Sequence, residues 1–207
     1  MVVEPKVRGF ICTTAHAAGC RENVKQQIDY VKALPKCGGG KRVLVIGSST
    51  GYGLASRITA AFSGGAQTIG IMFEKPSNGK KTASAGWYNT AAFEEFAAAE
   101  GLYAKSINGD AFSQAVKDET IELIRKDWGS VDTVIYSLAA PRRTMPDGET
   151  VSSVLKTTGQ PYTNKTIDLA NRTVVPVTIE PATQEEIDDT VKVMGGEDWK
   201  DWLCALS

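Results

Sequence analysis

Residues 41–62 restrict the folds open to this chain more than any other stretch. The segment reads KRVLVIGSSTGYGLASRITAAF, a short apolar run followed by a glycine-rich turn and a helical pattern. Val43 to Ile46 are apolar and mostly β-branched, which is typical of a strand buried on both faces of a parallel sheet. Gly47, Gly51 and Gly53 follow, and apolar residues then recur at helical spacing. The pattern predicts strand, turn and helix in that order.

The glycine turn indicates a binding site for the pyrophosphate of a dinucleotide. Glycine lets the backbone turn sharply and lets a phosphate group approach closely. The amino terminus of the following helix presents free amide groups and the positive end of the helix dipole. The alternative is a tight turn between strand and helix that binds nothing.

A second strand, QTIGIMFE, is predicted over residues 67–74. Its last residue, Glu74, lies 21 positions beyond Gly53. A carboxylate at an offset of roughly 20 residues can accept hydrogen bonds from the adenine ribose hydroxyls. An acid there favours NAD over NADP because it repels the additional phosphate, although Lys75 could offset part of that charge. An ordinary acid at a strand end is the alternative.

Helical and strand patterns alternate along the rest of the first 143 residues. They predict helices over residues 21–34, 87–100 and 113–128, and strands over residues 102–107 and 131–138. Four strands joined by right-handed crossovers give the spatial order 3-2-1-4. The expected fold class is therefore α/β, a Rossmann-like doubly wound parallel sheet with an N-terminal helical extension.

In this strand order the ligand crevice opens at the carboxyl ends of strands 1 and 4. The turn at Gly47 would face Leu138-Ala139 across that crevice. Asp110, after the third strand, is a candidate acceptor from the adenine amino group, or a cap of the following helix. Arg142 and Arg143 would lie near the rim, where they could meet phosphate or form solvated surface charge.

The patterns divide the chain into four regions. They are an N-terminal arm and helix at 1–40, a NAD-binding Rossmann-like domain at 41–143, a loop or hairpin segment at 144–182 and a helical region at 183–207. Residues 174–179 are the candidate hairpin strand, and Thr183 begins a capping-box pattern. The last helix keeps an unpartnered apolar face, so we expect the natural protein to continue past Ser207.

Composition argues against several classes of partner. The 23 basic and 24 acidic residues give a net charge of -1, which offers no general attraction to nucleic acid or to an anionic membrane. No apolar run is long enough to span a bilayer, and the N-terminus lacks the apolar core of a signal peptide. We therefore expect a cytoplasmic protein.

Cys12, His16 and Cys20 are spaced by four residues and raise the question of a zinc site. The run has no obvious fourth ligand and lacks the usual short cysteine spacing, and Gly19 argues against a regular helix through it. We therefore expect no metal, and a packed or capping histidine with buried thiols fits the run better. Four cysteines in a chain of this length do not predict a disulfide framework either.

Six segments together match a known family along almost the whole sequence. They are VRGFICTTAH, VLVIGSSTGYGLASRITAAF, GWYNTAAF, GLYAKSINGDAFS, VIYSLAAPRRT and VKVMGGEDW. The chain closely resembles the N-terminal half of the bacterial trans-2-enoyl-CoA (acyl-carrier-protein) reductases of the FabV type, which are enlarged relatives of the short-chain dehydrogenases. The resemblance implies NADH-dependent reduction of the carbon–carbon double bond of 2-enoyl thioesters in fatty-acid elongation. It implies NADH/NAD as cofactor and trans-2-enoyl-CoA or enoyl-acyl-carrier-protein as substrate.

The resemblance also assigns residues to the cofactor. It places the turn residues Gly47, Ser48, Ser49, Thr50, Gly51 and Tyr52 against NADH. It places Phe73 and Glu74 at the adenine ribose, Asp110 and Ala111 near the adenine, and Leu138 and Ala139 beside the nicotinamide-side ribose.

Catalysis in this family requires a Tyr and a Lys nine positions apart, which the resemblance places in the second half of the family's chain. No such pair follows the fourth predicted strand here, and no Tyr–Lys pair four apart exists. Tyr162 and Lys165 are only three apart. We therefore assign no catalytic residue and expect this chain alone to bind NADH weakly and to be inactive. The alternatives are a non-catalytic nucleotide-binding or sensing module and a carbonyl-reducing short-chain dehydrogenase, against which the missing four-apart pair argues.

Overall fold

The computed structural model describes residues 2–8, 11–169 and 171–207. These residues form two compact units, one built mainly from Cys12–Leu138 and the other mainly from Ala139–Ala205. Near the amino terminus, the two-residue strands β1 (Val7–Arg8) and β2 (Ile11–Cys12) form a small sheet. Gly9 and Phe10 of the predicted N-terminal arm lie outside the described residues.

A four-stranded parallel sheet forms the centre of the first unit. Its strands are β3 (Arg42–Ile46), β4 (Gln67–Met72), β5 (Ala104–Asn108) and β6 (Thr133–Tyr136). They lie in the order β5-β4-β3-β6, so the predicted order 3-2-1-4 and the α/β Rossmann-like fold class are confirmed. Residues 43–46 are almost fully buried, as the apolar run predicted. β4 is shorter than predicted, so Phe73 and Glu74 lie in the loop after it.

Four helices accompany this sheet in the sequence order that the patterns predict. They are α1 (Ala17–Ala33), α2 (Gly51–Ile58), α3 (Ala85–Ala99) and α4 (Gln114–Asp127), and a π-helical turn (Thr59–Ser63) continues α2. Apolar faces of α1, α2 and α3 share one core, in which the rings of Phe62 and Phe93 meet edge to face at 5.9 Å. α2, which begins directly after the glycine turn, is therefore anchored in this core.

The start of α1 differs from the prediction. Gly19 does not interrupt the helix but lies in its first turn, where its amide group donates a 3.0 Å hydrogen bond to Nδ1 of the N-cap residue His16. First-turn amides have no partner within a helix, so a side-chain acceptor is favourable there. His16 is thus a capping histidine, as one reading of the sequence had it.

Arg57 joins α2 to the sheet from inside the core. Its guanidinium is fully buried and donates hydrogen bonds to the Thr68 hydroxyl, the Ser106 hydroxyl and the Lys105 carbonyl at 3.2, 2.8 and 2.6 Å. It also stacks 4.4 Å from the centre of the Phe93 ring. Burial lowers the pKa of Arg57 to about 10. The helical spacing of apolar residues in α2 does not by itself predict that this arginine is buried.

The second unit contains two antiparallel hairpins and two helices. β7 (Arg142–Thr144) pairs with β8 (Thr150–Ser152), and β9 (Tyr162–Asp168) pairs with β10 (Thr173–Ile179). α5 (Gln184–Met194) and α6 (Glu197–Leu206) follow. The hairpin predicted at residues 174–179 is confirmed, whereas the β7–β8 hairpin was not predicted.

The capping box predicted at the start of α5 is present. The Thr183 hydroxyl accepts from the Glu186 amide at 3.2 Å, and the Glu186 carboxylate accepts from the Thr183 amide at 3.0 Å. Across the described residues of both units, no helix is long and apolar enough to cross a membrane.

Candidate dinucleotide site

The turn after β3 is fastened to the neighbouring strand through one carbonyl group. The amide groups of Gly47 and Ser48 donate to the carbonyl oxygen of Ile71 at 3.0 and 2.9 Å, and the Ser48 hydroxyl donates to the same oxygen at 3.1 Å. Ser48 is fully buried, so these bonds form away from water. The turn therefore has a fixed position at the carboxyl ends of β3 and β4.

Two of the three glycines are required by the protein's own packing. Gly47 has φ +83, and a Cβ on it would lie 2.1 Å from the carbonyl oxygen of Ser137, just after β6. A Cβ on Gly53 would lie 1.9 Å from the carbonyl oxygen of Gly47. Both contacts are with backbone atoms, which cannot move aside as a flexible side chain can. These two glycines are thus explained without any ligand.

Gly51 differs from the other two glycines. Its φ of +53 also favours glycine, but among the described residues, apart from its chain neighbours and the backbone of its own helix, no heavy atom lies within 4 Å of the position that its Cβ would take. The space beside Gly51 is open at the start of α2.

The amino terminus of α2 faces the same open space. Its first amide groups have no carbonyl partner within the helix. Within the described part of the chain, the N-cap side chain of Thr50 makes no capping hydrogen bond to them. Thr50, Gly51 and Tyr52 are exposed, and Tyr52 is 89% accessible. Open amides at a positive dipole end and a cradle without a side chain fit an anionic diphosphate group.

Glu74 lies beside the turn, although it is outside the strand that was predicted to end with it. Its Oε1 accepts a 2.6 Å hydrogen bond from the Ser49 hydroxyl. The Ser49 carbonyl in turn accepts from Nδ2 of Asn89 on α3 at 3.1 Å. The structure therefore brings the glycine turn and the predicted ribose-binding acid together.

Asn108 was not singled out in the sequence, yet it holds the backbone of Glu74. Its Oδ1 accepts from the Glu74 amide at 2.8 Å, and its Nδ2 donates to the Glu74 carbonyl at 3.1 Å. Gly86, on the first turn of α3, packs against the same acid, since a Cβ there would lie 2.0 Å from Glu74 Oε1. The only sequence signal for Asn108 was its place at the end of the third strand, next to the candidate Asp110.

Asp110 makes a local turn and is not the cap of α4. Its Oδ1 accepts from the amide of Phe112 at 3.0 Å, while Ser113 is the N-cap and accepts from the Val116 amide at 3.3 Å. The capping alternative is therefore wrong. Ala111 is buried, and its carbonyl oxygen accepts from Nζ of Lys117 at 3.1 Å.

The remaining predicted contact residues differ in their surroundings. Leu138 follows β6, and its amide nitrogen lies 3.3 Å from the Cβ position of Gly47, so the predicted juxtaposition of turn and fourth strand is found at this residue. Phe73 is 75% exposed. Ala139 is also exposed but belongs to the second unit.

Arg143 has neither of the predicted roles. It is 5% exposed and forms ion pairs with Glu197 and Asp201, and it donates to the carbonyl of Lys192 at 2.8 Å. β7 places its side chain against α5 and α6 within the second unit, which accounts for its burial. Arg142, its neighbour on β7, is exposed, in agreement with the surface-charge reading.

The cysteines also depart from the expectation of buried thiols. Cys12, Cys37 and Cys204 are exposed and Cys20 is partly buried. Cys12 lies in β2 and Cys20 in α1, so the four-residue spacing does not continue along one helical face. Among the described residues, no group of three or more His, Cys, Asp or Glu side chains could hold a metal ion.

Two family models together match almost the whole chain. The model described as the NAD(P)H binding domain of trans-2-enoyl-CoA reductase matches residues 2–79. The model described as the trans-2-enoyl-CoA reductase catalytic region matches residues 81–207.

Curated relatives and solved structures agree with these matches. An enoyl-[acyl-carrier-protein] reductase [NADH] of Coxiella burnetii is 62% identical over 209 residues, and a trans-2-enoyl-CoA reductase [NADH] of Ruminiclostridium cellulolyticum is 61% identical over 207 residues. Each match covers 100% of this chain and 52% of the relative.

Two crystal structures cover the chain completely. The Clostridium acetobutulicum trans-2-enoyl-CoA reductase in complex with NADH superposes with a TM-score of 0.94 at 41% identity, over 52% of that protein. The Treponema denticola enzyme in complex with NAD gives 0.91 at 49% identity, over 53% of that protein. The chain spans about half the length of the curated relatives it matches. In sequence and in fold, it belongs to the trans-2-enoyl-CoA reductase family.

Proposed function

We propose that this chain forms the NADH-binding half of an enzyme that reduces the 2,3 double bond of trans-2-enoyl thioesters. The observation that carries the proposal is the open cradle at Gly51, set at the start of α2 and at the carboxyl end of the central strand. Two relatives whose structures superpose on this chain were solved with NADH or NAD.

The pyrophosphate is assigned to the turn of residues 47–52. The open amides at the start of α2 would donate hydrogen bonds to its oxygens, and Gly51 would leave room for close approach of the phosphate groups. Three exposed residues, Thr50, Gly51 and Tyr52, border this space.

The two ends of the cofactor are assigned to the neighbouring strand ends. Phe73 and Glu74 would contact the adenine ribose, and Asp110 and Ala111 would lie near the adenine, because the β4 and β5 loops open at the same sheet edge as the turn. Leu138 and Ala139 would lie beside the nicotinamide-side ribose. The Glu74 carboxylate would accept from ribose hydroxyls and repel the 2′-phosphate of NADPH.

When bound, NADH supplies the hydride that reduces the double bond of the thioester. The residues of this chain bind and orient the cofactor, and no catalytic acid or base is assigned among them. We assign the substrate to the trans-2-enoyl thioesters of CoA or acyl-carrier-protein, because both carriers appear in the names of the 61–62% identical relatives. The proposed reaction is the reduction of the carbon–carbon double bond that completes a round of fatty-acid elongation.

The experiment uses the natural polypeptide that carries these residues, incubated with NADH and trans-2-butenoyl-CoA. NADH absorbance should decrease in proportion to the thioester added, and saturated butanoyl-CoA should leave it unchanged. Tight NADH binding without consumption would favour the non-catalytic nucleotide-binding module. Absence of NADH binding would overturn the cofactor assignment itself.

A further inference from the structure

We infer that Asn108 is a positioning residue that fixes the Glu74 carboxylate and thereby sets the choice between NADH and NADPH. The inference rests on the proposed NADH site and deepens it. It assigns the discrimination to a clamp of side-chain hydrogen bonds and not to Glu74 alone.

The clamp begins where the sheet ends. Asn108 is the last residue of β5 and pairs in register with Met72, the last residue of β4. Glu74 lies two residues after Met72. The Asn108 side chain binds its backbone, with 2.8 Å between Oδ1 and the amide nitrogen and 3.1 Å between Nδ2 and the carbonyl oxygen. Two bonds to one peptide backbone fix its orientation as well as its position.

Packing does not supply this restraint on its own. Phe73, between the strand and Glu74, has a side chain that is 75% exposed, and Lys75 on the other side is exposed too. The loop is therefore anchored at Glu74 mainly by polar contacts. Loss of the Asn108 side chain would remove both side-chain hydrogen bonds between β5 and the Glu74 backbone, whereas the Lys75 backbone would keep its hydrogen bonds to Ser84.

The carboxylate itself is confined from two sides. The Ser49 hydroxyl donates to Oε1 at 2.6 Å, and Gly86 on α3 approaches so closely that a Cβ would lie 2.0 Å from the same oxygen. The hydrogen bonds from Asn108 to the Glu74 backbone place the carboxylate between Ser49 and Gly86. Asn89 braces the far side by donating to the Ser49 carbonyl at 3.1 Å.

Confinement matters because charge repulsion falls with distance. A carboxylate that is free to swing can move away from a 2′-phosphate, and the adjacent Lys75 can then take its place. With its backbone held by Asn108 and its Oε1 confined between Ser49 and Gly86, the Glu74 carboxylate cannot withdraw. The clamp therefore keeps the negative charge of Glu74 at a fixed position, where it would repel the 2′-phosphate of NADPH.

The test is a double-mutant cycle in the natural polypeptide, with kcat/KM measured for NADH and for NADPH. Asn108→Ala should lower the NADH-to-NADPH ratio by about three- to tenfold, mainly through KM. In the Glu74→Ala background the same substitution should leave the ratio unchanged, because the group that it positions is gone. A merely structural loss would reduce kcat/KM for both cofactors alike and would not move the ratio.

Gly86→Ala provides a second variant that acts from the opposite side. Its Cβ would displace the carboxylate and press on Cβ of Ser49, 2.8 Å away, so the ratio should fall again and the effect should shrink in Glu74→Ala. Asn23→Ala, at an exposed asparagine on α1, is the control and should leave the ratio unchanged.

The outcomes separate the two proposals. If Glu74→Ala changes the ratio but Asn108→Ala does not, or if the two effects simply add, Asn108 does not position Glu74. If the wild-type protein shows no preference for NADH, or Glu74→Ala leaves it intact, the proposed ribose site fails instead.

Discussion

A Cβ atom on Gly53 would lie 1.9 Å from the carbonyl oxygen of Gly47. Gly53 is therefore constrained by the Gly47 carbonyl and Gly47 by the Ser137 carbonyl, while Gly51 between them borders open space. The spacing of three glycines that suggests a phosphate site thus combines two different causes. Two of the glycines let backbone carbonyl groups approach closely, and the third leaves the space that a phosphate group would occupy.

This difference predicts that alanine substitution lowers the free energy of unfolding more at Gly53 than at Gly51. Gly53→Ala should lower the free energy of unfolding by about 3 kcal/mol, because a backbone carbonyl must move. Gly51→Ala should cost only about 1 kcal/mol, from the left-handed conformation alone. Urea denaturation followed by circular dichroism measures both values. Equal costs at the two positions would contradict the structural distinction.

Glu74→Gln should relax the selectivity for NADH. The amide keeps an oxygen that can accept from the Ser49 hydroxyl, so the geometry survives while the negative charge is removed. We expect the kcat/KM ratio of NADH to NADPH to fall about tenfold, equivalent to ~1.4 kcal/mol. Lys75→Gln, which removes the neighbouring positive charge, should move the ratio in the other direction. If neither Glu74→Gln nor Lys75→Gln changes the ratio, Glu74 does not contact the adenine ribose.

Asp132 should make the first unit sensitive to acid. Hydrogen bonds from the Arg42 side chain, with further bonds from the amides of Arg42 and Lys41, lower the pKa of Asp132 from 3.8 to about 2. Between about pH 4 and about pH 2 the unfolded chain takes up a proton that the folded chain does not, so stability falls as the pH falls. Asp132→Asn should be less stable at neutral pH and should lose less stability over this interval. The measurement is the midpoint of thermal denaturation at each pH. If this midpoint falls equally with pH in the wild-type protein and in Asp132→Asn, protonation of Asp132 does not cause the loss of stability.

Arg143→Met should test the reassignment of this arginine. Its loss removes two ion pairs and the hydrogen bond to the Lys192 carbonyl, and we expect unfolding to become easier by about 2 kcal/mol. NADH affinity, measured at a temperature where the variant is folded, should not change. A large loss of affinity at full folded content would restore the phosphate-binding interpretation. Arg142→Met is the matched control on the same strand and should affect neither quantity.

The sequence predicts the sheet and its order because the underlying signals are local. Runs such as VLVI mark buried strands, right-handed crossovers restrict the possible strand orders, and the glycine turn after the first strand favours the dinucleotide-binding order 3-2-1-4 among them. The hairpin at β9–β10 and the capping box at Thr183 likewise depend on nearby residues. Element ends were less predictable, and β4 stops before Phe73 because its partner β5 ends at Asn108.

Contacts between distant residues could not be read from the sequence. Arg57 resembles a polar-face residue of α2, and its burial depends on hydroxyl and carbonyl acceptors from β4 and β5. The clamp of Asn108 on Glu74 joins residues 34 positions apart, and neither residue type signals it. The pairing of Ser49 with Glu74 is likewise a product of the fold. The sequence located the loops of the site, and tertiary structure set how their side chains meet.

The most direct test of the central claim is an NADH titration, followed by cofactor fluorescence, of the wild-type protein, Gly51→Ala and Gly65→Ala. Gly65 has φ +64, and apart from its chain neighbours no heavy atom of the described residues lies within 4 Å of its Cβ position, so an alanine there carries a backbone cost similar to that at Gly51. It lies before β4, at the sheet edge opposite the turn. We predict that Gly51→Ala weakens NADH binding at least tenfold and that Gly65→Ala leaves it unchanged. Equal affinities for all three proteins would contradict the placement of the pyrophosphate at this turn.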